Sequence, residues 1–208
     1  MIPVRKKPEP AEFDSLVRRP GRAYLRQVRR PSSKQFQEHA YWTRIQSHLR
    51  ERYGGICAYA AFWIPPTTGS ANVEHFIPKS RVPRLAYEWD NYRFVCGRLN
   101  GRKGDFVDVI DPFVVRKSWF YMDFPSLLLK PNPSLSAGIK AKVVGTISRL
   151  KLNDDDTLIK ERNAWLRLYC IHGLTFRALK ENAPFIATEL ERQGLTHEAI
   201  SAMMAYPQ

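Results

Sequence analysis

At 208 residues the chain is long enough for one good core with a small added lobe. Its apolar fraction of 44% and charged fraction of 25% exclude a mainly disordered protein. Lys and Arg number 33 against 20 Asp and Glu, a net charge of +13. Such an excess points to a polyanionic partner, because cations near phosphates release condensed counterions; charge serving only solubility is the plainer reading. No apolar run approaches the about 20 residues needed to cross a bilayer. The basic start, Met1-Ile2-Pro3-Val4-Arg5-Lys6-Lys7, is not followed by the apolar stretch of a secretory signal. Cys57, Cys96 and Cys170 make an odd set without a disulfide framework, so a reducing, cytoplasmic setting is expected.

In chain order, residues 1–33 are rich in arginine and broken by Pro8, Pro10, Pro20 and Pro31. This predicts an irregular basic arm, with a short helical turn near 13–17, packed on the domain through Phe13, Leu16 and Tyr24. Ser32 or Ser33 can cap a helix running to about Tyr53, stopped by Gly54-Gly55. Residues 56–64 read as a first strand and 72–77 as a second, with a Pro-Thr-Gly turn between them. Residues 91–95 then lead into a short helix near 96–103. Around 119–129 a β-hairpin or meander is expected, and after it four helices near 135–151, 156–181, 184–193 and 197–205. Ile139, Val143, Ile147 and Leu150 form a helical stripe better suited to core or partner packing than to a cofactor. The predicted fold is α+β, in three parts: the arm at 1–33, a core at 34–113, and a mostly helical extension at 114–208 that forms one compact unit with the core.

The chemistry concentrates in Val73-Glu74-His75-Phe76-Ile77-Pro78-Lys79-Ser80, Trp89-Asp90-Asn91 and Asn100-Gly101-Arg102-Lys103. Hydrolysing a phosphodiester needs a nucleophilic water, stabilisation of developing negative charge, and cations to hold the backbone. His75 suits the proton acceptor, since an imidazole titrates near neutrality. Glu74 suits a hard divalent cation such as Mg²⁺. Adjacent side chains on a strand point to opposite faces, so both can serve one site only where the strand ends or bulges. Asn91 and Asn100 cannot be bases, but an amide oxygen can ligate a metal or orient an imidazole. Lys79, Arg81, Arg98, Arg102 and Lys103 surround the set with phosphate-seeking charge. His39, His48, His172 and His197 have no such partners and read as structural or exposed.

On these residues the chain resembles the HNH endonuclease superfamily, and within it the retron-associated, Septu-like HNH group. Further cues are Gly54-Gly55-Ile56-Cys57-Ala58-Tyr59, Gly104-Asp105, Asp111-Pro112, the stretch Thr146-Ile147-Ser148-Arg149-Leu150-Lys151-Leu152-Asn153, Leu158 and Arg162. The likeness covers about residues 50–165. It implies a ββα-metal scaffold, with His75 as general base, Glu74 and Asn100 as ligands of Mg²⁺ or Mn²⁺, and Asn91 fixing the loop and orienting His75. Lys103 would contact phosphate. DNA is the implied substrate, and an anti-phage or restriction-type system with an ATPase partner is the implied setting.

Three positions depart from the pattern. Many relatives carry two CxxC pairs that bind a structural zinc. Here the places read Cys57-Ala58-Tyr59-Ala60 and Cys96-Gly97-Arg98-Leu99, and two thiols fall short of the four ligands such a site takes. No structural zinc is expected, and Cys57 and Cys96 should lie buried as small hydrophobes. Glu74 stands where Asp is common, one methylene longer, and Asn100 replaces a terminal His, which favours a hard metal. Two readings follow: an active metal-dependent endonuclease, or an HNH fold that binds nucleic acid or a partner without cutting. An RNA-binding protein is a weaker third, since no aromatic platform motif is present.

Overall fold

The computed structural model describes residues 1–153 and 156–206. The fold is α+β, with two antiparallel strand pairs among many short helices. The chain divides into two compact units. One holds Arg5–Ala58 and Ile64–Val107, and the other holds Met1–Val4, Tyr59–Trp63 and the chain from Asp108 onward. Among the described residues no helix is long and apolar enough to cross a membrane.

In the first unit the basic arm is more helical than its prolines predict. A π-helical turn at Asp14–Arg18 runs directly into α1 (Arg19–Gln27). Pro20 falls in the first turn of α1, where proline is tolerated. The wider turn before it, closed by the Arg19 N–H on the Asp14 carbonyl, carries the chain past without a break. Phe13 and Val17 anchor the arm in the core, with the Phe13 ring edge-on to Trp89 and Tyr92 at 5.6 and 5.8 Å.

The helix expected over 33–53 is three pieces: α2 (Ser33–Glu38), a 3₁₀ turn at Tyr41–Ile45, and α3 (Gln46–Arg52). Ser32 starts α2 with a reciprocal capping box to Gln35. The break comes at His39, whose ring stacks on Tyr24 at 3.7 Å while its backbone N–H and Nδ1 both engage the Gln35 carbonyl. Tertiary aromatic packing here overrides helix propensity.

Residues 56–64 are not a strand. Gly54, Gly55 and Ala61 have φ of 59°, 70° and 56°, and the chain turns repeatedly through this apolar run. A short apolar run reads alike whether it is a strand or a buried loop, which is why periodicity mistook it. The paired strands are β1 (Ala71–His75) and β2 (Tyr92–Cys96), antiparallel, with Val73 opposite Phe94 and His75 opposite Tyr92. Helix α4 (Gly97–Lys103) follows β2 directly and packs on both strands. The ββα arrangement is therefore β1, β2 and α4.

In the second unit β3 (Phe120–Asp123) and β4 (Leu128–Pro131) form the expected hairpin, and α5 (Ala137–Arg149) packs on β4. Val143, Ile147 and Leu150 of the predicted stripe are buried. The helix expected over 156–181 is α6 (Asp156–Cys170) and α7 (Phe176–Asn182), parted where Gly173 takes φ of 71° and Thr175 caps the new start. Then come α8 (Pro184–Gln193) and α9 (His197–Met203). Several motif residues beyond the ββα core build this unit. Thr146 Oγ1 accepts the Ile110 N–H, and Asn153 pairs with both backbone groups of Leu129. The buried Arg162 donates to the Leu127 and Leu152 carbonyls.

Candidate active site

At the end of β1 a cavity of about 290 Å³ is lined by Asn72, Val73, Glu74 and His75, together with Trp42, Lys79, Asn100 and Asp105. A larger open groove of about 730 Å³ runs past Arg18, Arg22 and Arg84. It holds none of the His75-centred set, and Arg18 and Arg22 are already paired with Glu9 and Glu88.

His75 is held on three sides. Its Nε2 lies 2.9 Å from the Ala86 carbonyl, and the rings of Trp42 and Tyr92 stand edge-on at 4.6 and 5.2 Å. A carbonyl only accepts, so Nε2 carries the proton and Nδ1 is left as the basic nitrogen. The Tyr92 hydroxyl donates to the same carbonyl at 2.6 Å and keeps it in place. Burial pulls the imidazole pKa down to about 3, with Lys79 and then Lys103 adding to the effect and the Ala86 hydrogen bond opposing it. The ring is neutral at physiological pH.

Asn91 fastens the loop between β1 and β2. Its Oδ1 accepts the Ile77 N–H at 2.7 Å, and its Nδ2 donates to the Ile77 and Leu85 carbonyls at 2.9 and 3.0 Å. The loop so fixed presents Ala86, one residue beyond Leu85, to His75. Asn91 thus orients the imidazole at second hand and does not line the cavity.

Lys103 differs from its expected place at a phosphate. It is fully buried, with Nζ 2.7 Å from Glu74 Oε1, 3.0 Å from the His75 carbonyl and 2.6 Å from that of Phe76. These contacts leave its ammonium no face toward a nucleic-acid backbone. Lys79 does line the cavity, half-buried over the rings of Trp42 and Phe36 at 5.4 and 6.0 Å. Burial lowers its pKa, and Asp105 and Glu74 counteract that. Arg81 and Arg98 are exposed and Arg102 is half-buried; none of the three lines the cavity.

Trp42 and Asp105 line the cavity but are not among the candidate site residues read from sequence, where Gly104-Asp105 is only a cue to the family. Asp105 enters because Gly104, with φ of 47°, turns the chain sharply after α4, and Ser80 Oγ donates to its carboxylate at 2.6 Å. In sequence, Gly-Asp after a helix reads as an ordinary turn. Trp42 comes from the 3₁₀ segment and gave only a core signal.

The donor set of the cavity is made of hard oxygens: the carboxylates of Glu74 and Asp105 and the amide of Asn100. Such a set fits Mg²⁺ or Mn²⁺, which take one or two carboxylates and keep several waters. Among the described residues no group of three His, Cys, Asp or Glu is placed to hold a metal ion.

The two cysteines of the half-pairs come together in the same unit, the Cys96 N–H reaching Cys57 Sγ at 3.3 Å. Cys57 is buried as expected, whereas Cys96 is only half-buried.

No family model matches the sequence. Over 118 residues the chain is 30% identical to the Septu protein PtuB of Bacillus thuringiensis. The aligned stretch covers 57% of this chain and 44% of that protein, so the chain spans less than half the length of the relative it matches.

Proposed function

We propose that the protein is a divalent-metal-dependent endonuclease of the ββα-metal type that hydrolyses DNA phosphodiester bonds. The observation that carries this reading is the cavity where a neutral His75, fixed through Nε2 by the Ala86 carbonyl, meets the oxygens of Glu74 and Asn100. His75 Nδ1 takes a proton from water, and the resulting hydroxide attacks phosphorus. The bridging P–O bond opposite it breaks, and the departing sugar oxygen takes a proton from solvent water. Lys79 receives the non-bridging oxygens, and the negative charge of the phosphodiester offsets Lys79 and makes the imidazole more basic. A divalent ion held by Glu74 and Asn100 would supply Lewis-acid stabilisation of the developing charge. The likeness to a Septu protein supports a place in an anti-phage defence system with an ATPase as partner, and the odd set of three cysteines supports the cytoplasm as location. The net charge of +13 supports a nucleic-acid substrate.

One observation favours a second reading, an HNH-like fold that binds nucleic acid or a partner without cutting. The Lys103 ammonium already neutralises Glu74, which weakens that carboxylate as a ligand. Plasmid nicking separates the two. Wild-type protein should nick supercoiled DNA in Mg²⁺ or Mn²⁺, while His75→Ala should lose nicking and keep DNA binding in a gel-shift assay. Nicking that is unchanged in His75→Ala, or that survives chelation, rules the mechanism out. Mn²⁺ binding read by electron paramagnetic resonance should weaken in Asn100→Ala, independently of cleavage.

A further inference from the structure

We propose that Cys57 and Cys96 are a redox pair, converted by a peroxide into a disulfide that ties the turn after Gly54-Gly55 to the junction of β2 and α4. The two thiols come from distant parts of the chain and meet inside one unit. The Cys96 backbone N–H reaches Cys57 Sγ at 3.3 Å, and the Ala58 N–H bonds the Phe94 carbonyl at 2.9 Å, so both flanking segments are held in register.

Exposure assigns the roles. Cys96 is half-buried, whereas Cys57 is almost fully buried. Reactive cysteines are partly exposed thiolates with a resolving thiol at hand. The Cys96 thiol is pulled down to about 7 by its hydrogen bond with Cys57, against the opposing effect of burial and with help from the Leu99 and Cys96 backbone N–H groups and Arg98. Cys170 is the contrast: burial raises its pKa.

In the first step the Cys96 thiolate attacks one oxygen of hydrogen peroxide. The O–O bond breaks, Cys96 becomes a sulfenic acid, and the departing hydroxide takes up the proton that the Cys96 thiol had released. In the second step Cys57 sulfur attacks Cys96 Sγ, the S–O bond breaks, and hydroxide leaves as water with the Cys57 proton. Two thiols lose two electrons in total, and one peroxide is reduced to two waters. Cys96 ends β2 and directly precedes α4, the helix that carries Asn100 and Lys103. The bond therefore fixes the root of the helix that supplies the cavity.

The test uses the full reduced chain, one equivalent of hydrogen peroxide, maleimide labelling after denaturation, and peptide mapping without reduction. Two of the three thiols should be lost to labelling, with the Cys57 and Cys96 peptides joined, Cys170 labelled throughout, and dithiothreitol restoring all three. Cys170→Ser should give the same link. Sulfenic or sulfinic acid at Cys96 with Cys57 still labelled overturns the proposal, as does any link that requires Cys170.

Discussion

Lys103 Nζ lies 2.7 Å from Glu74 Oε1, and the two side chains are 0% and 2% exposed. The same ammonium also donates to the His75 and Phe76 carbonyls. One cation thus fastens the last turn of α4 to the end of β1, where both candidate chemical residues sit. A buried charge in this position is tolerable only because every one of these acceptors is aimed at it.

Removing that cation takes from the buried Glu74 carboxylate the ammonium 2.7 Å away. Lys103→Met should therefore destabilise the fold by about 3–5 kcal/mol, the usual cost of breaking a buried pair from one side. Adding Glu74→Leu to the same chain should restore much of that loss, because a buried pair exchanged for apolar groups is often near neutral. Urea unfolding of the two variants against wild type checks both statements. A Lys103→Met chain as stable as wild type would show that the contact fastens nothing.

His75 makes stability depend on pH in a defined direction. Burial holds its pKa at about 3 in the folded chain, against an ordinary 6.5. Below about pH 6.5 the unfolded chain takes up a proton that the folded chain refuses. The stability present above that pH is then lost on acidification, at up to about 1.4 kcal/mol per pH unit, until the folded imidazole itself titrates. In chelator, wild type should lose about 2 kcal/mol more between pH 7 and pH 5 than His75→Gln. Parallel urea curves for the two chains would exclude this account.

Part of the ββα arrangement is legible in sequence because those parts carry local signals. The strand expected at 72–77 and the short helix near 96–103 match β1 and α4, whereas residues 56–64 read as a strand that does not form and the true second strand, β2, is missed. The ends of α8 were announced by Pro184 and Gly194, and the start of α9 by Thr196. The failures share one cause: distant packing decided them. His39 stacking on Tyr24 cut the helix over 33–53, and the turns through 56–64 left no trace in hydropathy. The cavity divides the same way. His75 and Asn100 in the cavity, and Asn91 fastening the loop beside it, show themselves by residue type and spacing. Lys103 looks like any lysine in a last helical turn, and only its meeting with Glu74 reveals that it is buried. Asp105 joins the cavity through the positive φ of Gly104, which a sequence does not print.

The lost thiols at Ala60 and Leu99 make a statement about zinc that can be measured. Cys57 and Cys96 alone supply two ligands where a structural site takes four, and the hairpin and helix are held by packing of Val73, Phe94, Val95 and Leu99. Protein purified without added metal should contain far less than one equivalent of zinc by mass spectrometry. A strong zinc chelator should leave its melting temperature unchanged. A stoichiometric zinc content, or a fall of several degrees on chelation, would mean that other residues complete the site.

Asp105 faces the cavity from beyond α4 with its carboxylate held by Ser80. Its charge adds to that of Glu74, which Lys103 offsets, so on the proposed function Asp105 would supply much of the field drawing a divalent ion to the Asn100 oxygen. Asp105→Asn keeps the size and a hydrogen-bonding oxygen while removing the charge. It should raise the Mg²⁺ concentration for half-maximal nicking by about tenfold, the lower end of what outer-shell changes cost in metal affinity. At saturating Mg²⁺ the nicking rate should return to within about twofold of wild type, since His75 and its Ala86 contact are untouched. Ser80→Ala, which frees the carboxylate without neutralising it, should shift the requirement less. A Mg²⁺ requirement unmoved in Asp105→Asn would place that carboxylate outside the metal's reach and leave Glu74 and Asn100 to hold the ion with water alone.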